Sequence, residues 1–390
     1  MRASPVLVAA LLFVGGFALW FLQPWAEQRR HFFVADAAAF EPHAEHSTEP
    51  VSYKRETVVS GFDSAWDVAF LSAADALITE KPGRLWRVNL ESGSKRELSG
   101  LPEVANRGQG GLLAVVAHPS FDSNALIYLS YAARLENGLY TTRVMRAKLV
   151  DDALTQTKVI LSAQAESRAS HHFGGALLFG PDGHLFVSVG DRGDRHKAQQ
   201  LDAHNGKILR LFDDGTVPPD NPFIGQQNEL PEIFSYGHRN PQGLALDAST
   251  GRIWEAEHGP RGGDEINHLR PGLNFGWPVI TYGKEYVGGS IGERASKPGM
   301  EQPVHYYVPS IATSGIAYSR EASFPEWKDS AFVGALRGQH LNRVQLRDGQ
   351  FVAETRLLED LDQRVRSVRI SPAGDLYVVT EEGALIRIYR

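Results

Sequence analysis

The sequence contains no cysteine. That absence excludes disulfides, iron–sulfur clusters, thiol catalysis, zinc–cysteine sites and covalently attached c-type haem. Any redox chemistry must therefore use a cofactor held without a thiol. There is also no basic run. Lys and Arg number 40 against 46 Asp and Glu, and the resulting charge of −6 argues against nucleic acid as a partner. Long amphipathic helical periods are all but missing beyond Tyr53. Glycine (38) and proline (21) are plentiful, which suits short strands joined by turns rather than a helical bundle. A length of 390 residues does not force a split, since all-β propellers exceed about 200 residues as one unit.

One apolar run stands at the start, Pro5 to Leu22 (PVLVAALLFVGGFALWFL). Its length falls between a signal-peptide core and a full membrane span. No polar face interrupts it, so a buried helix of a globular domain fits poorly. Residues 1–25 read as an uncleaved anchor or a cleaved signal peptide, with a slight balance towards the anchor. The triplet Ala35-Asp36-Ala37 offers a cleavage site, though far beyond the apolar core. Either reading puts the body outside the cytoplasm, periplasmic or beyond, secreted or attached to a membrane through residues 5–22. Residues 26–50, polar and rich in His, Glu and Ala, read as a linker to a single domain over 51–390.

Within that domain an apolar strand end, a polar turn and an alternating strand recur as a unit. The copies start at Val68-Ala69-Phe70, Val116-Ala117, Leu178-Phe179, Leu244-Ala245-Leu246, Ile316-Ala317-Tyr318 and Val368-Arg369-Ile370. They lie roughly 45–75 residues apart, the range of propeller blades with loop insertions. A unit of about four short strands cannot bury its own faces, so radial stacking is the stable solution. The pattern predicts an all-β, six-bladed propeller preceded by the hydrophobic segment. A β-sandwich with accidental turn similarity accounts less well for such regularity. Closure is expected to pair a strand near Val51–Val59 with the C-terminal blade.

Four clusters exceed the needs of turns. His171-His172-Phe173-Gly174-Gly175 precedes a strand ending Val189-Gly190-Asp191. A paired His and an acid on a neighbouring strand can build a base with its orienting carboxylate. On an extended segment the two imidazoles would face opposite sides, leaving one towards the central channel. Gly237-His238-Arg239-Asn240-Pro241-Gln242-Gly243 reads as a loop presenting donors to a ligand. In Glu257-His258-Gly259-Pro260-Arg261-Gly262-Gly263-Asp264-Glu265, exposed carbonyls and hard carboxylate oxygens suit Ca²⁺ better than zinc or copper. An acidic hairpin turn is the competing reading. Arg364 and Arg366, at i and i+2, share a strand face and can converge on an anion, or form a solvated basic face.

Together the segments "GHRNPQGL" (237–244), "E-x-GP-x-x-x-DEIN" (257–267) and "N-x-GWP" (274–278) resemble the soluble glucose dehydrogenase / glucose–sorbosone dehydrogenase family, in particular its aldose sugar dehydrogenases. The resemblance spans roughly Val51 to Arg390. It implies a propeller enzyme that uses pyrroloquinoline quinone (PQQ) and Ca²⁺ to oxidise aldoses to lactones. By the same resemblance His172 is the general base, Asp191 its orienting acid, and Arg239 and Asn240 the pair beside the reactive quinone carbonyl. Gln109 and His171 border the sugar. Arg337, where the family has lysine, joins Arg364 and Arg366 in holding PQQ carboxylates. The main-chain carbonyls of Gly259 and Pro260 hold the cofactor Ca²⁺, and Glu265 with Glu285 implies a second Ca²⁺. His171 replaces an acid, and Val308 stands near an aromatic position of the soluble glucose dehydrogenases, which favours the broader aldose branch over glucose specificity.

With no haem motif, electrons must leave to an external acceptor, a quinone or a cytochrome. A Ca²⁺-dependent propeller lactonase is one alternative; it needs several side-chain oxygens on one metal and has no use for the arginines. A non-catalytic sugar-binding propeller is another; it predicts loss of His172 or the arginines, and none is lost.

Overall fold

The computed structural model describes residues 52–293, 295–319 and 324–390; the apolar run and the linker lie outside them. Among the described residues twenty-four strands form six four-stranded antiparallel sheets. Five are plain meanders in chain order: β2 (Ala65–Phe70) to β5 (Lys95–Glu97), β6 (Leu112–Ala117) to β9 (Ala153–Ser162), β10 (Leu177–Phe179) to β13 (Ile233–Tyr236), β14 (Pro241–Asp247) to β17 (His305–Tyr307), and β18 (Thr313–Ser319) to β21 (Gln350–Leu357). The sixth joins β22 (Val365–Ile370), β23 (Leu376–Thr380) and β24 (Ala384–Tyr389) to β1 (Lys54–Ser60), in the order β1-β24-β23-β22. Lys54 sits opposite Tyr389 and Ser60 opposite Ala384, so the expected closure is present.

The innermost strands β2, β6, β10, β14, β18 and β22 neighbour one another in a ring. Successive side chains on a strand point to opposite faces, and here each face meets a different blade. Leu77 packs into the cluster shared with the second blade, through Leu112, Val115 and Ile127. The next residue, Ile78, packs towards the sixth, against Val379 and Leu385. Leu185, Val187 and Val189 of β11 (Leu185–Val189) face the second blade, while Phe186 faces the fourth with Leu244 and Ile253. Burial on both faces lets the middle strands carry apolar residues at successive positions; all of β11 is buried, Ser188 included. Each such side chain contributes about 1.5–3 kcal/mol.

In each meander the link from an outermost strand to the next blade and the link between second and third strands emerge at the same end. The candidate residues fall on those links. Gln109 precedes β6, His171 and His172 precede β10, Asp191 follows β11, Arg239 and Asn240 precede β14, and Gly259 and Pro260 follow β15 (Arg252–Glu257). Arg337 follows β19 (Ser330–Ala335), and Arg364 stands at the entry to β22, with Arg366 inside it. One further segment reaches this end: between β16 (Asp264–Leu269) and β17 an insertion climbs alongside it, Trp277 N donating to Gly237 O at 2.8 Å.

Candidate active site

His172 Nδ1 lies 2.7 Å from Asp191 Oδ1. The segment carrying it is not extended. His172 adopts φ +55°, a left-handed conformation that costs a non-glycine residue about 1–3 kcal/mol and recurs at functional sites. Two contacts hold it there: His172 N donates to Gln109 Oε1 at 2.8 Å, and its carbonyl lies where a side chain on Gly190 would place Cβ, 2.2 Å away. Only glycine fits at position 190. This turn also corrects the expectation that the two imidazoles face opposite sides. Their rings meet edge to face, centroids 4.5 Å apart, with His171 exposed and the His172 side chain 13% exposed. Burial pulls the His172 imidazole down to about 4 against the pull of Asp191, and the Arg239 charge pushes the same way, so His172 is neutral at neutral pH. Burial lowers His171 as well.

Asp191 is held on every side. Its Oδ1 also accepts from Gly193 N at 2.8 Å, its Oδ2 from Trp277 Nε1 at 2.9 Å, and its main-chain oxygen from Asn205 Nδ2 at 2.9 Å. Burial opposes its ionisation, but the His172 bond, the Gly193 amide and Arg239 outweigh that and keep the carboxyl below its ordinary value. It is an anionic orienter. With Nδ1 donating to Asp191, the Nε2 lone pair of His172 is left as the acceptor.

Arg239 is buried beside this pair, its guanidinium 5.4 Å from the Trp277 ring. Nη1 donates to His258 O at 2.7 Å and to Gly259 O at 2.8 Å. One of the two carbonyls expected to take Ca²⁺ is thus shared with Arg239; that of Pro260 accepts no hydrogen bond among the described residues. The turn is pinned from below by Asp264, which accepts from Gly259 N (2.8 Å), Ser310 Oγ (2.8 Å) and Ala312 N (2.7 Å). Asp264, expected to offer a hard oxygen to a metal, is instead saturated by donors of its own chain. Asn240 accepts from Gly174 N at 3.2 Å, tying its loop to the His172 segment.

Arg364 and Arg366 do share a face, and both converge on Glu381, with Arg364 N also bonded to Glu382 Oε2 at 3.1 Å. Burial opposes ionisation of Glu381, yet the two guanidinium groups hold it below the usual carboxylate range. Arg366 is buried over the Trp66 ring at 4.1 Å, and its Nε finds no acceptor among the described residues. Arg337 is exposed, and its side chain has no partner among the described residues. Guanidinium groups gathered at one end of the ring, one of them with an unsatisfied Nε, suit a multiply charged carboxylate ligand.

Beneath Arg239 lies a cluster that sequence reading missed. Glu257 accepts from Arg239 N at 2.7 Å and lies 3.1 Å from His238 Nδ1; ligand-type atoms of His238, Glu255 and Glu257 all fall within 4.8 Å of one another. Strand pairing sets Glu257 opposite Glu265. Burial raises the Glu257 and Glu265 carboxyls well above the ordinary carboxylate range, with like charges adding to the effect at Glu265. The two line a cavity of about 10 Å³ with Gly259 and Pro260, about the room of one water. Glu285 is not part of its walls and pairs with Arg195 at 2.6 Å, so Glu265 and Glu285 have different partners. The role of Trp277 was missed too; its only signal was the N-x-GWP segment.

A profile of the glucose / sorbosone dehydrogenase family matches residues 62–387. The chain belongs to that family. It is 39% identical over 346 residues to the aldose sugar dehydrogenase YliI of Escherichia coli, covering 87% of this chain and 93% of that one. The crystal structure of the soluble aldose sugar dehydrogenase of Escherichia coli in its apo form superposes with a TM-score of 0.84 at 38% identity, covering 86% of this chain and 99% of that one. The PQQ-bound aldose sugar dehydrogenase of Streptomyces coelicolor superposes with a TM-score of 0.73 at 29% identity, covering 87% and 99%. The expected fold and family are therefore present.

Proposed function

We propose that this protein oxidises aldose sugars at the anomeric carbon to lactones, with PQQ and Ca²⁺ as cofactors. Electrons then pass to an external acceptor, a quinone or a cytochrome. The observation that carries this reading is the neutral His172, fixed by Asp191, at the same end of the ring as the Arg239, Arg337, Arg364 and Arg366 guanidinium groups, with Arg366 Nε lacking an acceptor among the described residues. The PQQ-bound relative from Streptomyces coelicolor supports the choice of quinone.

Arg239, Asn240, Arg337, Arg364 and Arg366 would hold the PQQ carboxylates and carbonyls, and the Gly259 and Pro260 carbonyls the cation. When bound, that pair supplies a hydride acceptor polarised by a Lewis acid. His172 Nε2 takes the proton of the anomeric hydroxyl as the hydride leaves the anomeric carbon, and the ring sugar becomes a lactone. Asp191 stabilises the imidazolium that forms and keeps the ring in register. Gln109, whose carbonyl braces His172 N, and His171 border the sugar. The lactonase alternative has no use for the arginines gathered at this end of the ring, among them the buried Arg239 and Arg366. We place the enzyme outside the cytoplasm, secreted or attached through residues 5–22.

Reconstitution tests the proposal. Chelation with EDTA and long dialysis should abolish dye reduction with aldoses, and PQQ with Ca²⁺ should restore it. Full aldose oxidation by quinone-free, metal-free protein would overturn it.

A further inference from the structure

We infer that the cleft between the first and second blades, next to the His172 loop, is a subsite for an anionic group carried by the sugar. The inference rests on the sugar-oxidising reading above and adds a substrate class to it. The cleft measures about 380 Å³, within the ligand-sized range of about 300–1,000 Å³. Its walls come from two places: the loop after β5, which brings Asn106 and Arg107, and the facing ends of β7 (Leu126–Arg134) and β8 (Tyr140–Val150).

The charge is lopsided. Arg107, Arg134 and Arg143 line the cleft against a single acid, Glu103, so its walls carry 3 − 1 = +2 in a chain of net charge −6. None of the three arginines is in an ion pair among the described residues. Arg143 Nε donates to Ser162 Oγ at 3.2 Å. Arg107 lies over the Tyr140 ring, 4.9 Å from its centroid, and Arg134 is exposed with no partner among the described residues. Elsewhere arginines find acids: Arg87 with Asp75, Arg210 with Asp182 and Asp220, Arg387 with Asp375. Guanidinium forks suit carboxylate, sulfate or phosphate oxygens.

The same walls continue into the active site. Arg107 is two residues from Gln109, no more than about 7 Å of chain. Gln109 N donates to Ser170 O at 2.7 Å, its side chain braces His172, and Tyr140 N donates to Ser167 O at 2.9 Å. A sugar oxidised at His172 thus has an anion-seeking cleft beside it, separated from Arg366 of β22 by Trp66, which packs with Ala105 and Tyr140 of the cleft wall. The anion can be the carboxylate of a second, uronic acid residue or a phosphate on the oxidised sugar itself.

The test uses the full chain loaded with PQQ and Ca²⁺. We compare kcat/KM for cellobiose with that for glucuronosyl-β-1,4-glucose, and for glucose with that for glucose 6-phosphate, at low and at 0.5 M salt. We expect at least one acidic member to be preferred about tenfold or more, identifying the source of the anion. The acid-to-neutral ratio should fall towards one in Arg107→Gln/Arg134→Gln and at high salt, but not in Lys158→Gln, an exposed cation on the outer strand of the same blade. Calorimetric titration of cofactor-free protein with each acidic sugar gives a second readout, independent of turnover: binding weakened by the double variant supports the subsite. If no sugar is oxidised, the functional reading fails and the titration alone decides the subsite. Equal ratios with no calorimetric binding, or a preference and affinity that survive the double variant, overturn it.

Discussion

Trp277 and Asp191, 86 residues apart in the chain, are joined by a 2.9 Å hydrogen bond from the indole to the carboxylate oxygen that His172 leaves free. The indole thereby decides how the base is aimed. Trp277→Phe keeps a ring beneath Arg239 but removes the donor. A hydrogen bond to a charged group is worth about 1.5–3 kcal/mol, so kcat should fall roughly 10- to 100-fold while KM moves little. Steady-state kinetics of the reconstituted variant checks this; unchanged kcat would make the contact merely structural.

The histidine pair yields a sharper contrast. General-base catalysis contributes typically 10²–10⁴-fold, so His172→Ala should lose about that much in kcat while still binding PQQ. His171→Ala should act on KM or sugar preference, and Asp191→Asn should fall between the two. Inactivity of His171→Ala beside normal activity of His172→Ala would show that His172 is not the base.

Burial also predicts an acid titration. In cofactor-free protein the His172 imidazole should titrate near 4 rather than at its ordinary 6.5, readable by NMR of the ring nitrogens. The sign for stability follows from linkage. Between pH 6.5 and 4 the unfolded chain binds the proton that the folded chain refuses, so His172 costs stability progressively as pH falls through that window. His172→Gln should flatten this part of the denaturation-midpoint profile.

For the cofactor cradle, Arg364→Ala and Arg366→Ala should each weaken PQQ binding by about 1.5–3 kcal/mol. The larger loss belongs to Arg366, whose side chain is 9% exposed against 45% for Arg364. Titration of PQQ into each cofactor-free variant, with a urea melt to exclude unfolding, decides it. Unchanged affinity in both would return the pair to its bond with Glu381.

Sequence patterning exposed the blades through their inner hairpins, because only there do both strands carry apolar residues on each face. The outer strands left little trace: β9 exposes four residues in succession, and β5 has three residues in all. At the site, His172 and Asp191 were legible from motif and interval. The left-handed turn at His172, Asp264 spent on its own turn, and the Trp277 bond were not, since each depends on partners brought together across blades. Nor could spacing show that Glu381 already sits between Arg364 and Arg366.

The pairing of β1 with β24 has a mechanical side. The two strands meet with Lys54 beside Tyr389, the outer ends of both together. A pull applied to the chain ahead of Lys54 therefore loads the clasp one residue pair at a time, peeling it rather than shearing all its hydrogen bonds at once. Such a load falls on this seam alone, since each of the other five blades is a continuous meander with no chain end in it.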